Sequence, residues 1–499
     1  MKILTSEQIR LVDAYTIKHE SITSLELMER AAQECTDWLL RKFSESETFT
    51  IVCGNGNNGG DGLAIARLLA GEKRYVQVVT LNLAKNSSPD FESNLVSLNK
   101  LGIQVIEYNQ DSVFTALGTG NIIIDSIVGT GLNRPLEGLA RKIVDEINDY
   151  VGVKVAIDVA SGLYANKPLE KNSVVLKANY TLGFELPKLV FLLPENQQYV
   201  GKWEVLPIGL NSEFISQQDS TFELLEKHEL RSYLKERSKF SHKGLFGHAK
   251  LVCGSYGKMG AAILASRACL RSGVGLLTTI IPTEGYVILQ QSVPEAMVEC
   301  YGNRELEGEI MLGDNILGIG PGIGKSFVTR ETVSHILQNA KSKLVLDADA
   351  LNILADNKSW LSYIPEGSIL TPHPKEFERL VGEWSNDYEK LEKLKDLSAK
   401  LSCIIILKGA YTAVGTPAKQ VYFNTTGNAG MATGGSGDVL TGIITSFLAQ
   451  GYSSLQAAQL GVYLHGLAGD FAAKKHEEEA MIAGDIIDFL GEAFAEIKK

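Results

Sequence analysis

Apolar residues near the start of the chain recur three and four positions apart in SEQIRLVDAYTIKHE and again in SLELMERAAQECTDWLLRKF, a spacing that predicts two helices. The period then changes. Short continuous apolar runs, FTIVCG, YVQVVTL, NIIIDSIVG and VKVAIDVAS, alternate with helical segments, the first of which is expected from about Leu63. Unbroken Val/Ile runs suit strands buried on both faces, so the pattern predicts a mostly parallel sheet covered by helices. The rhythm is lost in WEVLPIGLNSEFISQQDSTFELLEKHEL and restarts in HAKLVCGSYGKMGAAILASRACLRSGVGLLTTII. Further strands are expected in DNILGIGPG, SKLVLDADA, GSILTPHP and CIIILKGA, before GNAGMATGGSGDVLTGIITSFLAQG runs into an apolar helix. Two α/β domains follow, residues 1–215 and 225–499, and neither repeats the other in any register.

A chain of 499 residues is long for one hydrophobic core, which agrees with two domains. The net charge of −11 disfavours nonspecific attraction to nucleic acid or an anionic membrane, and neither partner is expected. The six cysteines are scattered without a C-x-x-C pair, as suits a reducing compartment. The N-terminus mixes charges into its apolar positions, and no apolar run is long enough to cross a bilayer. A cytoplasmic homo-oligomer is expected.

The stretch CGNGNNGGDG contains a literal G-x-G-x-x-G in Gly54, Gly56 and Gly59. A dinucleotide fingerprint needs an acidic residue at the end of the second strand, but that strand ends in VVTLNLAKN. A phosphate loop needs Lys after the last glycine, and here Asp61 follows Gly60. What remains is a turn whose amides face the start of a helix, with Asn57, Asn58 and Asp61 added. Asp125 and Asp158 each end an apolar run, and in an open parallel sheet such ends face a common crevice. Each strand-end aspartate has two readings: a tie for a helix or loop, or a member of a site with Asn58 and Asp61.

LMERAA, CGNGNNGGDGLAIAR, DSIVGTGLNRP and AIDVASGL occur in order and together resemble the N-terminal domain of the bifunctional NAD(P)H-hydrate repair enzymes, the NAD(P)HX epimerases. The similarity covers most of residues 1–210. It implies a Rossmann-like fold in which Asn57, Asn58, Gly59, Gly60 and Asp61, with Gly129, Thr130, Gly131, Leu132, Asn133, Arg134 and Pro135, hold the damaged nicotinamide nucleotide. Asp158 then faces the substrate. The family also binds a potassium ion, which by motif position falls to Asn58, Asp125 and Ser161, all hard oxygen donors. Ala160 stands where the family usually has proline.

In the second half, NAGMATGGSGDVLTG sets Asp438 at the start of an apolar helix behind a run of glycines. Backbone donors at such a helix end hold phosphates, and Asp438 is then placed to take a proton from an attacking hydroxyl. The alternative is a first-turn carboxylate favoured only by the helix dipole. ILKGAYTAVG offers Lys408 after a strand, and TPHPKEFERL places His373 between two prolines. A lone histidine of this kind is also read as a structural hydrogen-bonder. GPGIGKS is not a phosphate loop, because Ile319 occupies the position five before Gly324 where glycine is required. Gly322 reads as a close-approach glycine instead.

GKMGAAILASRACLRSGVGLLTT, GIGPGIG, DADALN, TPHPKEF, LKGAYT and GGSGDVLTG together resemble the ribokinase-like NAD(P)H-hydrate dehydratase domain over nearly all of residues 230–499. By motif position the resemblance implies that Ala261, Gly322, His373 and Asp438 contact the hydrated nucleotide. Lys408, Gly409, Ala410, Tyr411 and Thr412, with Asn428, Ala429, Gly430, Met431, Ala432, Thr433, Gly434, Gly435, Ser436 and Gly437, would hold ADP or ATP. The implied activity is repair of NADHX and NADPHX. The first half exchanges the R and S epimers, with Asp158 as its acid-base group. The second dehydrates the S form with ADP, releasing AMP and phosphate, with magnesium expected alongside the nucleotide. The same scaffold also serves small-molecule kinases, so the alternative is a kinase fused to a noncatalytic nucleotide-binding module.

Overall fold

The computed structural model describes residues 1–114 and 121–499. The chain divides into two compact units, one comprising Lys2–Ser220 and Asn386–Tyr388, the other Met1, Thr221–Ser385 and Glu389–Lys499. Both predicted N-terminal helices form, α1 over Ser6–Glu20 and α2 over Ser24–Lys42. Each starts at a threonine whose side chain and the Gln8 or Glu26 side chain three residues on satisfy each other's free amides, a capping box.

The first sheet is built from β1 (Thr48–Gly54), β2 (Val76–Leu81), β3 (Val105–Glu107), β4 (Asn121–Ser126), β5 (Lys154–Ile157), β6 (Tyr180–Phe184) and β7 (Lys202–Leu206). Its order is β3-β2-β1-β4-β5-β6-β7, and every neighbouring pair is parallel. Alternate residues of the strands serve opposite faces. Phe49, Ile51 and Cys53 pack with α2 and with α3 (Asn57–Gly71), whereas Val52, Ile123 and Ala156 pack with α5 (Gly138–Asp149), which follows α4 (Pro89–Asn99) in the chain. Connections leave β1 in one direction and β4 in the other, so a crevice opens at their carboxyl ends. Asp125 is paired with Val52 of β1 and Ala156 of β5, which puts it at that end.

The second unit contains β8 (Phe222–Leu224), β9 (His248–Val252), β10 (Leu276–Ile281), β11 (Met297–Cys300), β12 (Ile316–Ile319), β13 (Leu344–Leu346), β14 (Ile369–Leu370), β15 (Ile404–Leu407), β16 (Ala413–Gly415) and β17 (Val421–Phe423). They lie in the order β8-β17-β16-β15-β14-β13-β12-β9-β10-β11. The run from β15 to β11 is parallel, and β16 pairs antiparallel with both its neighbours. Helix α6 (Met259–Arg271) covers β9 and β10; α7 (Phe327–Asn339), α8 (Ala348–Asp356) and α9 (Pro374–Val381) follow β12, β13 and β14. Helices α10 (Ser436–Ala449) and α11 (Ser454–His476) close the main core with Val345, Ile369, Ile404 and Ile406. Among the described residues, no helix is long and apolar enough to cross a membrane.

One expectation is corrected. Helix α3 starts at Asn57, not near Leu63, so the glycine-rich stretch is itself the first two turns of the helix. Glycine costs helix propensity, but here side chains have no room. A Cβ on Gly59 would stand 1.6 Å from the Gly54 carbonyl oxygen, and one on Gly62 would stand 2.6 Å from the Ser126 Cβ. Close seating of α3 on β1 and β4 outweighs local preference. Gly59→Ala should therefore destabilise the first unit by about 3 kcal/mol, the upper end of the usual overpacking cost. Gly56→Ala, where a Cβ meets nothing within 4 Å, should cost less than about 1 kcal/mol as an N-cap change. Calorimetry of the two variants checks this, and equal midpoints would contradict it.

Candidate functional site

In the first unit, β1 ends at Gly54 and the chain turns through Asn55 and Gly56 into α3. Asn57 is exposed at the mouth, Asn58 and Asp61 are half-buried, and Gly59 and Gly60 are buried beneath them. The Asn58 carbonyl accepts a hydrogen bond from Ser126 Oγ at 2.6 Å, while both polar atoms of its side-chain amide are buried without a partner. A Cβ on Gly129 would fall 2.4 Å from Asp158 Oδ2 and 3.1 Å from Asn58 Oδ1, so all three residues border one small space.

Asp158 follows β5 in the left-handed region (φ 69°), uncommon for a non-glycine residue although aspartate is enriched there. Its Oδ2 accepts from Thr130 N at 2.8 Å and its Oδ1 pairs with Lys188 Nζ at 2.9 Å. Thr130 opens the rim segment, in which Leu132 N donates to Gly129 O and Lys167 Nζ donates to Asn133 O at 3.0 Å. Gly131, Asn133 and Arg134 are exposed; Leu132 and Pro135 are half-buried.

Asp125 is fully buried, and its carboxylate accepts from Ser161 Oγ at 2.6 Å, Ser161 N at 2.8 Å and Ile127 N at 3.2 Å. Burial still outweighs these bonds and raises its pKa to about 6. Val128 N donates to Ser161 Oγ at 3.0 Å, which joins this pair to the Gly129 segment and hence to Asn58. Ala160, in the place of the family's proline, is buried, and its carbonyl accepts from Leu163 N, so the turn closes without proline.

Asp61 and Asp13 bring further acids to Asp158. Burial first, then Asp158 and Asp13, push the Asp61 carboxyl well above the usual range; burial and Asp158 raise Asp13 to about 6 against the pull of Lys188. Sequence reasoning missed both Lys188 and Asp13. Lys188 is only 3% exposed, and the available signal was a lysine set in the apolar run ELPKLVFLL. Asp13 lies on α1, beside the buried Val12.

In the second unit the strand ends again converge. Asp347 follows β13, His373 comes three positions after the end of β14, and Lys408 follows β15 directly. Asp347 is 1% exposed; its Oδ1 takes Lys408 Nζ at 2.8 Å and its Oδ2 takes Thr441 Oγ1 at 2.7 Å. In DADALN nothing local marks Asp347 apart from its neighbour Asp349. Asp438 stands in the first turn of α10, behind Gly435 in the left-handed region, where a Cβ would meet Leu264 at 2.4 Å. Burial first and Asp347 second raise Asp438 to about 7, with Lys408 opposing and Asp349 adding. A residue serving only as a helix-dipole carboxylate would be shifted down.

His373 caps α9: its Nδ1 accepts from Lys375 N at 3.1 Å and Glu376 N at 3.4 Å, which leaves the proton on Nε2. Burial and then Lys408 lower its pKa, so the ring is neutral at pH 7. The hydrogen-bonding reading of His373 thus holds for one ring nitrogen, while Nε2 lies 3.3 Å from Glu376 Oε1 on a partly exposed edge. Gly322 has φ 64°, and a Cβ there would meet both Ala261 Cβ and Lys258 O at 3.0 Å. Lys325 is exposed beyond it.

Gly409, Ala410, Ala429, Ala432 and Gly434 are exposed along the rim; Tyr411, Thr412, Gly430, Met431, Thr433, Ser436 and Gly437 are half-buried. Asn428 is tied down twice, its Nδ2 donating to Asp470 Oδ1 and its Oδ1 accepting from Gly430 N. A Cβ on Gly437 would lie 3.3 Å from Lys408 Nζ, so the ammonium lies beside the helix tip.

Comparison with known proteins matches residues 249–491 to the NAD(P)H-hydrate dehydratase family and residues 24–190 to the family described as YjeF-related protein N-terminus. A bifunctional NAD(P)H-hydrate repair enzyme of Moorella thermoacetica is 35% identical over 98% of this chain and 96% of its own. One from Coxiella burnetii is 32% identical over 97% of this chain and 98% of its own. A solved ribokinase-like superfamily protein from Enterococcus faecalis, 29% identical, overlays 56% of this chain and 99% of its own with a TM-score of 0.50. Matched end to end with both halves in the same order, the chain belongs to the bifunctional NAD(P)H-hydrate repair enzymes.

Proposed function

We propose that the first unit exchanges the R and S epimers of NADHX and NADPHX at C6, and that the second removes water from the S epimer with ADP, or ATP, as co-substrate. The observation that carries this reading is the half-buried Asp438 carboxyl at the tip of α10, raised to about 7 and flanked by Lys408. A base poised near neutrality beside a cation and glycine amides suits phosphoryl transfer to a neutral alcohol.

Asp438 takes the proton of the C6 hydroxyl as its oxygen attacks the terminal phosphorus. ADP becomes AMP, and the hydroxyl becomes a phosphate ester. The ring nitrogen's electron pair then expels phosphate, and loss of a C5 proton restores the C5–C6 double bond. Ala261, Gly322 and His373 border the hydrated ring, with His373 Nε2–H offered as a donor. Lys408 to Thr412 and Asn428 to Gly437 hold the nucleotide, which carries its magnesium.

In the first unit, environment separates the roles of two carboxyls. Asp61, whose pKa burial pushes well above the usual carboxylate range, takes the donor role and protonates the departing C6 hydroxyl. Asp158, opposite Lys188, accepts the proton of the water that returns to the other face. Asn57, Gly59 and Gly60, with Gly129 to Pro135, line the nucleotide's path. The buried, unpartnered Asn58 amide oxygen and the buried Asp125–Ser161 pair fit a hard cation such as potassium. When bound, that ion supplies fixed positive charge at the crevice.

With R/S NADHX and ADP, wild type should regenerate NADH and release phosphate. Asp438→Asn should lower this rate by about 10²–10⁴-fold and leave epimer exchange intact; a stable phosphorylated product would indicate a kinase instead. Because the base must be ionised, kcat/KM for dehydration should climb tenfold per pH unit below about 7 and level off above it. A flat profile from pH 5.5 to 8 would contradict the assignment. Asp158→Asn should leave an R-epimer pool that decays only at the spontaneous rate. Unchanged decay relative to wild type, after that correction, excludes the Asp158 role.

A further inference from the structure

The base of the second unit has a counter-charge problem. Lys408 Nζ lies 3.3 Å from the point where a Cβ on Gly437 would stand, and Gly437 immediately precedes Asp438. A free ammonium there would pair with the Asp438 carboxylate and depress its basicity, which makes it a weaker proton acceptor. It is not free. Asp347 binds it at 2.8 Å, and Thr441, one turn after Asp438 on α10, holds the other Asp347 oxygen at 2.7 Å. The Asp347 backbone is pinned as well: its N–H donates to Ile319 O, and its carbonyl is packed on Gly320.

We propose that Asp347 is a positioning residue for the dehydratase base: anchored by Thr441, it captures the Lys408 ammonium, keeps it off Asp438 and aims it at the helix tip where phosphoryl charge develops. This rests on the reading of Asp438 as the base. Asp347 is buried, and no substrate contact is required of it. Its effect passes through Lys408 and, by its own negative charge, through Asp438.

The remaining charges around Asp438 do not substitute for it. Asp349 is engaged by Gly324 N at 2.8 Å and Lys258 Nζ at 3.3 Å. Cys253, below α10, is a buried thiol whose pKa burial and Asp438 push up, so it is neutral. On the α11 side, burial lowers His465 to about 4 and leaves it uncharged at neutral pH. Glu376 and the neutral His373 face Lys408, and burial raises Glu376 too. Asp347 is thus the carboxylate in direct contact with the ammonium.

Removing the Asp347 charge takes away an influence that raises Asp438 and releases Lys408, so the acid limb of the kcat profile moves to lower pH. Removing Lys408 takes away the lowering influence, so the limb moves to higher pH. The test is kcat against pH at saturating nucleotide for the full chain, wild type, Asp347→Asn, Lys408→Met and the double variant, with far-UV circular dichroism as the folding control. Asp347→Asn should shift the limb down by about one pH unit or more, Lys408→Met should shift it up, and the double variant should return near wild type. Limbs that stay fixed, or that move the same way in both single variants, overturn the proposal. If Asp347→Asn does not fold, Lys408→Met and the double variant decide: an upward shift cancelled in the double variant supports the pair, and any other pattern overturns it. Asp438→Asn in parallel separates the two readings. Retained conversion would sink the base itself, whereas lost conversion with unmoved limbs would sink only the positioning role.

Discussion

A carboxylate at the end of a buried parallel strand faces a low-dielectric crevice and must find a positive partner or give up its charge. Both units answer with a lysine, Lys188 from the turn that follows β6 and Lys408 from the end of β15. Asp158 takes Lys188 at 2.9 Å, and Asp347 takes Lys408 at 2.8 Å. A buried ion pair is not a stabilising device in itself, because desolvation cancels much of the attraction. Its consequence is local: each pair fixes one charge in place, and the neighbouring acids are left to respond. Asp61 and Asp13 are pushed up beside the first pair, and Asp438 beside the second.

Close backbone approach makes those pairings possible. Gly59 brings α3 down onto β1, a would-be Cβ standing 1.6 Å from Gly54 O, and Gly54 admits the segment after β4, its would-be Cβ 2.1 Å from Ile127 O. At the second site, Gly437 leaves the Lys408 ammonium beside the first turn of α10. A helix seated this low presents unpaired amides to the same crevice as the strand-end acids. Glycine, strand end and helix tip therefore form one constraint.

The alternation of apolar runs with helical spacing made the architecture legible, because buried parallel strands leave an unbroken Val/Ile signature. Asp125, Asp158 and Lys408 were also visible, since each directly ends such a run or lies at its last turn. The start of α3 was not. Glycine signals a turn locally, and only the position of Gly54 and Ser126 in space explains a helix there. Partners across long separations were equally hidden: Asp347 and Lys408 are 61 positions apart, and nothing local marks one as the other's counter-charge. Asp13 lies on a helix whose periodicity says only which side is buried. The reading of His373 stayed double for the same reason, because one ring nitrogen caps a helix while the other faces Glu376 on a partly exposed edge.

The two crevices share a plan but differ in the balance of charge, and the chemistry proposed for each accounts for the difference. Exchange of epimers returns the substrate at the same oxidation and phosphorylation state, so it needs a proton donor and an acceptor on opposite faces of the ring. In the scheme proposed, Asp61 and Asp158 supply these, and Lys188 is paired with Asp158. Dehydration by way of a phosphate ester brings extra negative charge into the site with the nucleotide. There the acceptor must stay basic while a cation stands beside it to meet the phosphoryl group. Those demands conflict unless the cation is held by a third group, and Asp347, buried and anchored by Thr441, meets that requirement.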